Sequence, residues 1–170
     1  MKQDIYDQTV AYILNNQEKC YRLAYSYVQN KDSALDVVQN AVCTALEKCW
    51  ELKNPDAIKT WFYRIVVNEA LMCLRKQKKE IATEQGELPE EVWYEDGYEK
   101  ASGEAEELYR EVEKLPEDMR TVVILRFYEE LSLKEIAEIT RTNLSTVKSR
   151  LYAALGKLRV NMEELGYEKA

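Results

Sequence analysis

The sequence predicts an all-α protein: two small helical domains joined by a flexible acidic linker. Three observations predict it. Apolar residues recur at helical spacing almost throughout, and almost no segment alternates as a half-buried strand does. One stretch, residues 83–103, breaks that pattern with Gly86, Pro89, Gly97 and Gly103 among many acids and few aliphatics. Beyond it, Leu131 to Leu158 has the capping and spacing of a helix, a tight turn and a second helix.

The elements follow in order. An opening helix is expected from Asp4 to Leu14, and a second from Glu18 to Val28. Asp32 is expected to cap a third, running to about Trp50, with Leu35, Val38, Val42, Leu46 and Cys49 inward. Asp36, Gln39, Asn40 and Cys43 form its polar face at i, i+3, i+4 and i+7. That pattern suits a solvated face or a protein-binding one, and periodicity leaves both open. Asn54-Pro55 marks the next start, because proline fits a first helical turn. A long helix then runs to about Lys79, with Phe62, Val66, Ala70 and Cys73 inward. Trp61, Arg64, Asn68 and Arg75 share another side of it. A face combining aromatic, amide and basic groups suits single-stranded nucleic acid, since bases stack on rings, cations follow phosphates and an amide reads a base edge. A buried tryptophan beside a solvated basic face is the alternative.

The linker also contains Trp93, Tyr94 and Tyr98, aromatics able to dock on a neighbouring surface. Helical pattern resumes near Glu104, and Leu115-Pro116-Glu117 restarts a helix carrying Val122, Val123, Leu125 and Phe127. The domains are thus expected over residues 1–82 and 104–170. In the second, Ser132 and Glu135 have capping-box spacing, and Leu133, Ile136 and Ala137 form one apolar face. Asn143 is the expected N-cap of the last helix. Leu144, Val147, Leu151, Leu155 and Leu158 give that helix an apolar stripe, while Lys148, Ser149, Tyr152 and Ala153 point away from it. This is a helix-turn-helix, whose second helix can enter a major groove. An ordinary helical hairpin with a solvated basic face is the competing description.

Charge placement agrees with nucleic-acid binding although the chain of 170 residues carries a net charge of -7. Lys59 to Lys79 holds six basic residues against Glu69 alone, and Arg141 to Arg159 holds five with no acid. Between them, Glu80 to Asp118 holds fifteen acids against Lys100, Arg110 and Lys114. With screening over about 8 Å, each basic patch acts locally and the total matters less.

Other functions fit poorly. There is no histidine, no Gly-rich phosphate loop and no paired nucleophile and base, so an enzyme is not expected. Cys20, Cys43, Cys49 and Cys73 form no CxxC pattern, which predicts reduced, mostly buried thiols and no metal. No apolar run approaches membrane-spanning length, and Met1 to Asp7 lacks the apolar core of a signal peptide, so the cytoplasm is expected.

The residues resemble a known family, the extracytoplasmic-function sigma factors of bacteria, within the sigma-70 family. In the first domain the resemblance rests on Asp36-Val37-Val38-Gln39-Asn40-Ala41 and on Thr60 to Asn68. In the second it rests on Leu115-Pro116-Glu117, Ile136-Ala137-Glu138-Ile139 and Thr146 to Leu151. It covers nearly all of residues 17–164 apart from the linker, and the wording is most similar to sigma-V type groups of Gram-positive bacteria. The resemblance implies a sigma-2 domain, a linker and a sigma-4 domain, with no cofactor. It implies binding to core RNA polymerase and to promoter DNA, and control by an anti-sigma factor, usually membrane-linked. It places Asp36, Gln39 and Asn40 against the polymerase clamp helices. It places Asn68 beside a flipped base of the -10 element, with Trp61 and Arg64 before it on the same helix. Lys148, Ser149 and Tyr152 match positions facing the -35 major groove, and Arg150 matches a phosphate contact.

Four departures stand out. Many relatives have glutamate where Asn40 stands, glycine where Arg141 stands and arginine where Ala153 stands. Gly156 lies inside the recognition helix, at a cost of about 1 kcal/mol relative to alanine. Besides the sigma factor, a conventional dimeric helix-turn-helix regulator is the second reading. It would bind a palindromic duplex without polymerase, and it has no use for a base-splaying face from Trp61 to Asn68.

Overall fold

The computed structural model describes residues 2–83 and 104–164, and among these the regular structure is helical, with no strand. The chain divides into two compact units, Met1–Glu95 and Asp96–Ala170. The flexible linker expected over 83–103, with Trp93, Tyr94 and Tyr98, lies outside the described residues except at Thr83.

The first unit contains α1 (Lys2–Asn15), α2 (Gln17–Val28), α3 (Lys31–Lys48) and α4 (Ile58–Thr83), with short 3-10 turns at Cys49–Glu51 and Pro55–Ala57. Gln29 ends α2 in the left-handed conformation, φ 55°, and its amide donates to the Tyr25 carbonyl. The next helix is capped by Asn30, not by Asp32. The Asn30 Oδ1 accepts from the Ser33 amide at 2.9 Å, and Asp32 sits in the first turn, where its charge suits the helix N-terminus. Asn54-Pro55 starts the following turn as expected, and Asn54 caps it by accepting from the Asp56 amide at 3.0 Å, but that turn is 3-10 and α4 proper begins at Ile58.

The inward face of α3 also differs from the expectation. Ala34, Val37, Ala41 and Ala45 are buried, whereas Leu35 is 43% exposed and Val38, Val42 and Leu46 are half-buried. α3 packs against both α2 and α4, and alanines at the contact let the backbones approach closely. The larger aliphatics are left on the flank. Cys49 is fully buried as expected, and so are Phe62, Val66 and Ala70. Cys73 is half-buried. Gln77 ties α4 to α3 by donating to the Ser33 hydroxyl at 2.9 Å. Tyr6 of α1 stacks on Trp50 at 5.5 Å between ring centroids.

The second unit contains α5 (Glu104–Lys114), α6 (Glu117–Val123), α7 (Leu133–Thr140) and α8 (Leu144–Glu164). A π-helical turn over Ile124–Tyr128 follows α6, marked by the Glu129 amide donating to the Ile124 carbonyl at 3.1 Å. The extra residue turns Ile124 and Leu125 inward and leaves Phe127 and Tyr128 exposed. Arg126 then donates to the Leu131 carbonyl at 3.0 Å, fixing the approach to α7. Buried Glu111 joins α5 to α8, accepting from Asn161 at 3.0 Å, and Lys114 donates to it at 3.1 Å. No helix among the described residues is long and apolar enough to cross a membrane.

Candidate nucleic-acid interface

The α7–α8 pair is built by local chemistry. Ser132 Oγ accepts from the Glu135 amide at 3.0 Å, and Glu135 Oε1 accepts from the Ser132 amide at 3.1 Å, a complete capping box. α7 ends at Arg141 in the left-handed conformation, φ 53°, where a residue with a Cβ is strained by roughly 1 kcal/mol. The Thr142 amide donates back to the Ala137 carbonyl at 3.1 Å, closing the turn. Asn143 Oδ1 accepts from the Thr146 amide at 2.9 Å and starts α8. Ile136, Ile139, Val147, Leu151, Ala154 and Leu158 are buried between the helices. Each large aliphatic among them contributes about 1.5–3 kcal/mol by leaving water. Leu144 and Leu155, expected in the same stripe, are partly exposed, and Ala154 takes the inward place.

This packing turns the opposite side of α8 outward. Lys148, Ser149, Tyr152 and Ala153 are all exposed, Tyr152 at 70%. Together they offer a cation, a hydroxyl and a phenol on one convex helical face, the donor and acceptor set that can read base edges in a major groove. Arg150 stands apart. It is half-buried on the flank of α8, and its Nε lies 3.4 Å from a carboxylate oxygen of Asp118 in the first turn of α6. The residue that sequence reasoning missed is therefore Asp118. Thirty-two positions separate the partners, so no local spacing could have signalled the pair. Behind it, Arg120 donates to the Glu113 backbone carbonyl. Burial pushes the Glu113 carboxyl up, with Arg120 and Arg110 pulling it partly back.

In the first unit the candidate residues fall into two groups on two helices. Asp36, Gln39, Asn40 and Cys43 are all exposed on α3. They adjoin the exposed Leu35 and half-buried Val38, Val42 and Leu46, giving the mixed apolar and polar surface typical of protein interfaces. On α4, Asn68 and Arg75 are exposed, but Trp61 and Arg64 are half-buried. Asp36 acts on α4 as well: after burial itself, its charge is the next cause raising the Cys73 thiol. The four cysteines are free thiols. Two, Cys20 and Cys49, are buried as expected, while Cys43 is exposed.

With both faces described, comparison with known proteins decides the family. Residues 13–80 match the model for Sigma-70 region 2, and residues 105–158 match the model for Sigma-70, region 4. The RNA polymerase sigma factor SigV of Bacillus subtilis is 43% identical over 155 residues, covering 90% of each chain. The ECF RNA polymerase sigma factor SigW of the same species is 31% identical over 160 residues, covering 88% of this chain and 86% of that one. The chain belongs to the extracytoplasmic-function sigma factors. The fold agrees: the sigma factor RpoE of Bartonella quintana, solved in complex with the anti-sigma factor NepR, superposes with a TM-score of 0.73 at 24% identity, over 90% of this chain and 95% of that one. In sigma-factor terms, region 2 begins within α1 and ends within α4, and region 4 spans α5 to α8. The second helix of the helix-turn-helix is α8, and the exposed Asn68 and Arg75 lie on α4.

Proposed function

We propose that this sigma factor binds core RNA polymerase through the α3 face and directs it to promoters, in a stress response and in the cytoplasm. Its domains are residues 1–82, which recognise and help melt the -10 element, and 104–170, which read the -35 element, joined by 83–103. Asp36, Gln39 and Asn40 meet the polymerase. Trp61, Arg64, Asn68 and Arg75 meet the -10 strand. Lys148, Ser149 and Tyr152 read the -35 groove, and Arg150 meets its phosphates. The protein carries no catalytic activity and needs no cofactor, because polymerase supplies the chemistry. An anti-sigma factor, membrane-linked in the family's usual manner, holds it inactive.

The observation that carries this reading is the pairing of two unlike nucleic-acid faces in one chain. The region-4 face is a convex recognition helix with exposed Lys148, Ser149 and Tyr152, suited to a duplex. The region-2 face presents an exposed amide and cation, suited to a strand with unpaired bases. A dimeric duplex-binding regulator has use for the first and none for the second. Run-off transcription with purified core polymerase on a genomic fragment library tests the whole proposal. Discrete start sites that need this protein are expected; transcripts no different from those of core alone would refute it.

Asn68 supplies the sharper test. Extruding a base costs a few kcal/mol, which its pocket must recover by stacking and edge-specific hydrogen bonds. Asn68→Ala is expected to leave core binding and -35 recognition intact, reduce open complex by about tenfold, and relax preference at one -10 position. A pre-melted template should restore much of the yield. Permanganate footprinting on duplex and bubble templates reads both effects, and normal melting in the variant would remove Asn68 from the strand face.

A further inference from the structure

Met72 is the one large apolar side chain of α4 that stands mostly in water among its described residues, at 52% exposure. Its position is specific. Asn68 lies four residues before it, and Arg75 and Lys76 lie three and four after, all of them exposed. Residues at those spacings are surface neighbours on a helix. Projected at about 100° per residue, Trp61, Arg64, Asn68, Met72, Arg75 and Lys79 fall within an arc of roughly 80°. The thioether therefore sits at one edge of the same strip, about 40° around the helix from its midline at Asn68, with that amide one turn before it and cations one turn after. It does little for the fold, because it is not enclosed by one.

Trp61, by contrast, is half-buried. It offers less free ring surface, and it precedes Asn68 by about 10 Å along the helix axis. The strip needs an apolar platform nearer the amide if an unstacked base is to be covered as well as read. Met72, about 6 Å beyond Asn68 along the axis, is placed for that. A thioether is polarisable, flexible and favourable against an aromatic ring, and every nucleobase presents such a ring. The flanking cations favour a polyanion over an apolar protein surface.

We propose that Met72 is a second base platform of the -10 strand, packing against the face of the unstacked base whose edge Asn68 reads. This rests on the reading of α4 as the strand-binding helix. The ligand is a single nucleobase of the non-template strand.

The test uses holoenzyme made from the full chain and core polymerase. The probe is a fluorescent single-stranded oligonucleotide of the non-template -10 sequence from a promoter found by run-off transcription, and the same strand with an abasic site at each position in turn. Met72→Ala should weaken binding of the intact strand about fivefold. It should also erase the loss caused by an abasic site at one position and leave the losses at the others unchanged. Met72→Leu, which keeps apolar volume, should retain most of the affinity. Core binding and thermal unfolding should match the wild type. Unchanged strand affinity, or losses that add to the abasic loss at every position, would overturn the assignment. So would weakened core binding, which would make Met72 a protein contact. Asn68→Ala and Arg75→Ala separate the two levels. If they weaken strand binding and Met72→Ala does not, the Met72 assignment alone fails. If none of the three does, the strand face on α4 fails with it.

Discussion

α4 and α8 are both long basic helices, of 26 and 21 residues, yet they hold their candidate faces differently. α8 packs one side against α5, α6 and α7 and leaves the other in solvent. α4 packs against α1, α2 and α3, so more of its girth is covered and two of its candidate residues, Trp61 and Arg64, are half-buried. On α8 the exposed candidates Lys148, Ser149 and Tyr152 are distinct from the buried side chains, and Arg150 is the half-buried exception, ion-paired to Asp118. On α4 the two sets overlap at Trp61 and Arg64. If these faces bind DNA as proposed, a substitution at Lys148, Ser149 or Tyr152 should report on DNA alone, while one at Trp61 should report on DNA and stability together.

Trp61→Ala against Tyr152→Ala is the sharpest way to break this contrast. Removing a half-buried indole should cost about 2 kcal/mol, below the range for fully enclosed tryptophan. Removing the exposed Tyr152 phenol should change stability by less than about 0.5 kcal/mol while altering -35 binding. Urea unfolding of the two variants, beside duplex titrations, measures both. Equal stability for the two would mean that Trp61 rests on α4 without being packed.

The next test lies within α8. Lys148 and Arg150 are two residues apart, but one is exposed and the other leans on Asp118. Lys148→Ala should change preference at one base pair, by roughly 1–3 kcal/mol. Arg150→Ala should weaken all sequences alike and lower the salt slope by about one unit. It should also lose the ion pair, worth no more than about 1 kcal/mol at that exposure. Titration against a randomised -35 library at several salt concentrations separates these. A changed preference profile for Arg150→Ala would move it onto the base-reading face.

Local chemistry made much of this legible in the sequence. The capping box of Ser132 and Glu135, the Asn143 cap and the outward set on α8 each depend on residues within one or two turns. What failed depends on packing. In α3 the weight of Leu35, Val38, Val42 and Leu46 drew the inward stripe to one side, but alanines occupy the contact because two helices close on it at once. In α8, Ala154 displaces Leu155 for the same reason. Hydrophobic periodicity marks an apolar arc; neighbours choose its centre, and they favour small residues where helices approach closely. The cap at Asn30 was missed because Asp32 is an equally good cap residue two positions later. The π turn at Ile124–Tyr128 and the Arg150–Asp118 pair have no signature in spacing.

The smallest effect concerns the rigidity of α8 itself. Gly156 lies in the helix interior, where glycine is less favourable than alanine by about 1 kcal/mol. A Cβ built there meets nothing within 4 Å, so Gly156→Ala has room without repacking. The region-4 unit should gain about 1 kcal/mol, which in a domain of that size raises the midpoint by roughly 4–8 °C. Thermal unfolding followed by circular dichroism reads this gain, and the region-2 transition should not move. The effect on DNA decides what the gain means. Lys148, Ser149 and Tyr152 precede Gly156 and are set by Val147, Leu151 and Ala154 beneath them. If that packing already holds the reading face in place, -35 affinity should stay within about twofold, because no ordering cost remains to be removed. A clear rise in affinity that tracks the stability gain would show instead that α8 completes its helix on DNA. Recognition and folding would then be as entangled on α8 as they are at Trp61 on α4, and the contrast between the two helices would no longer hold.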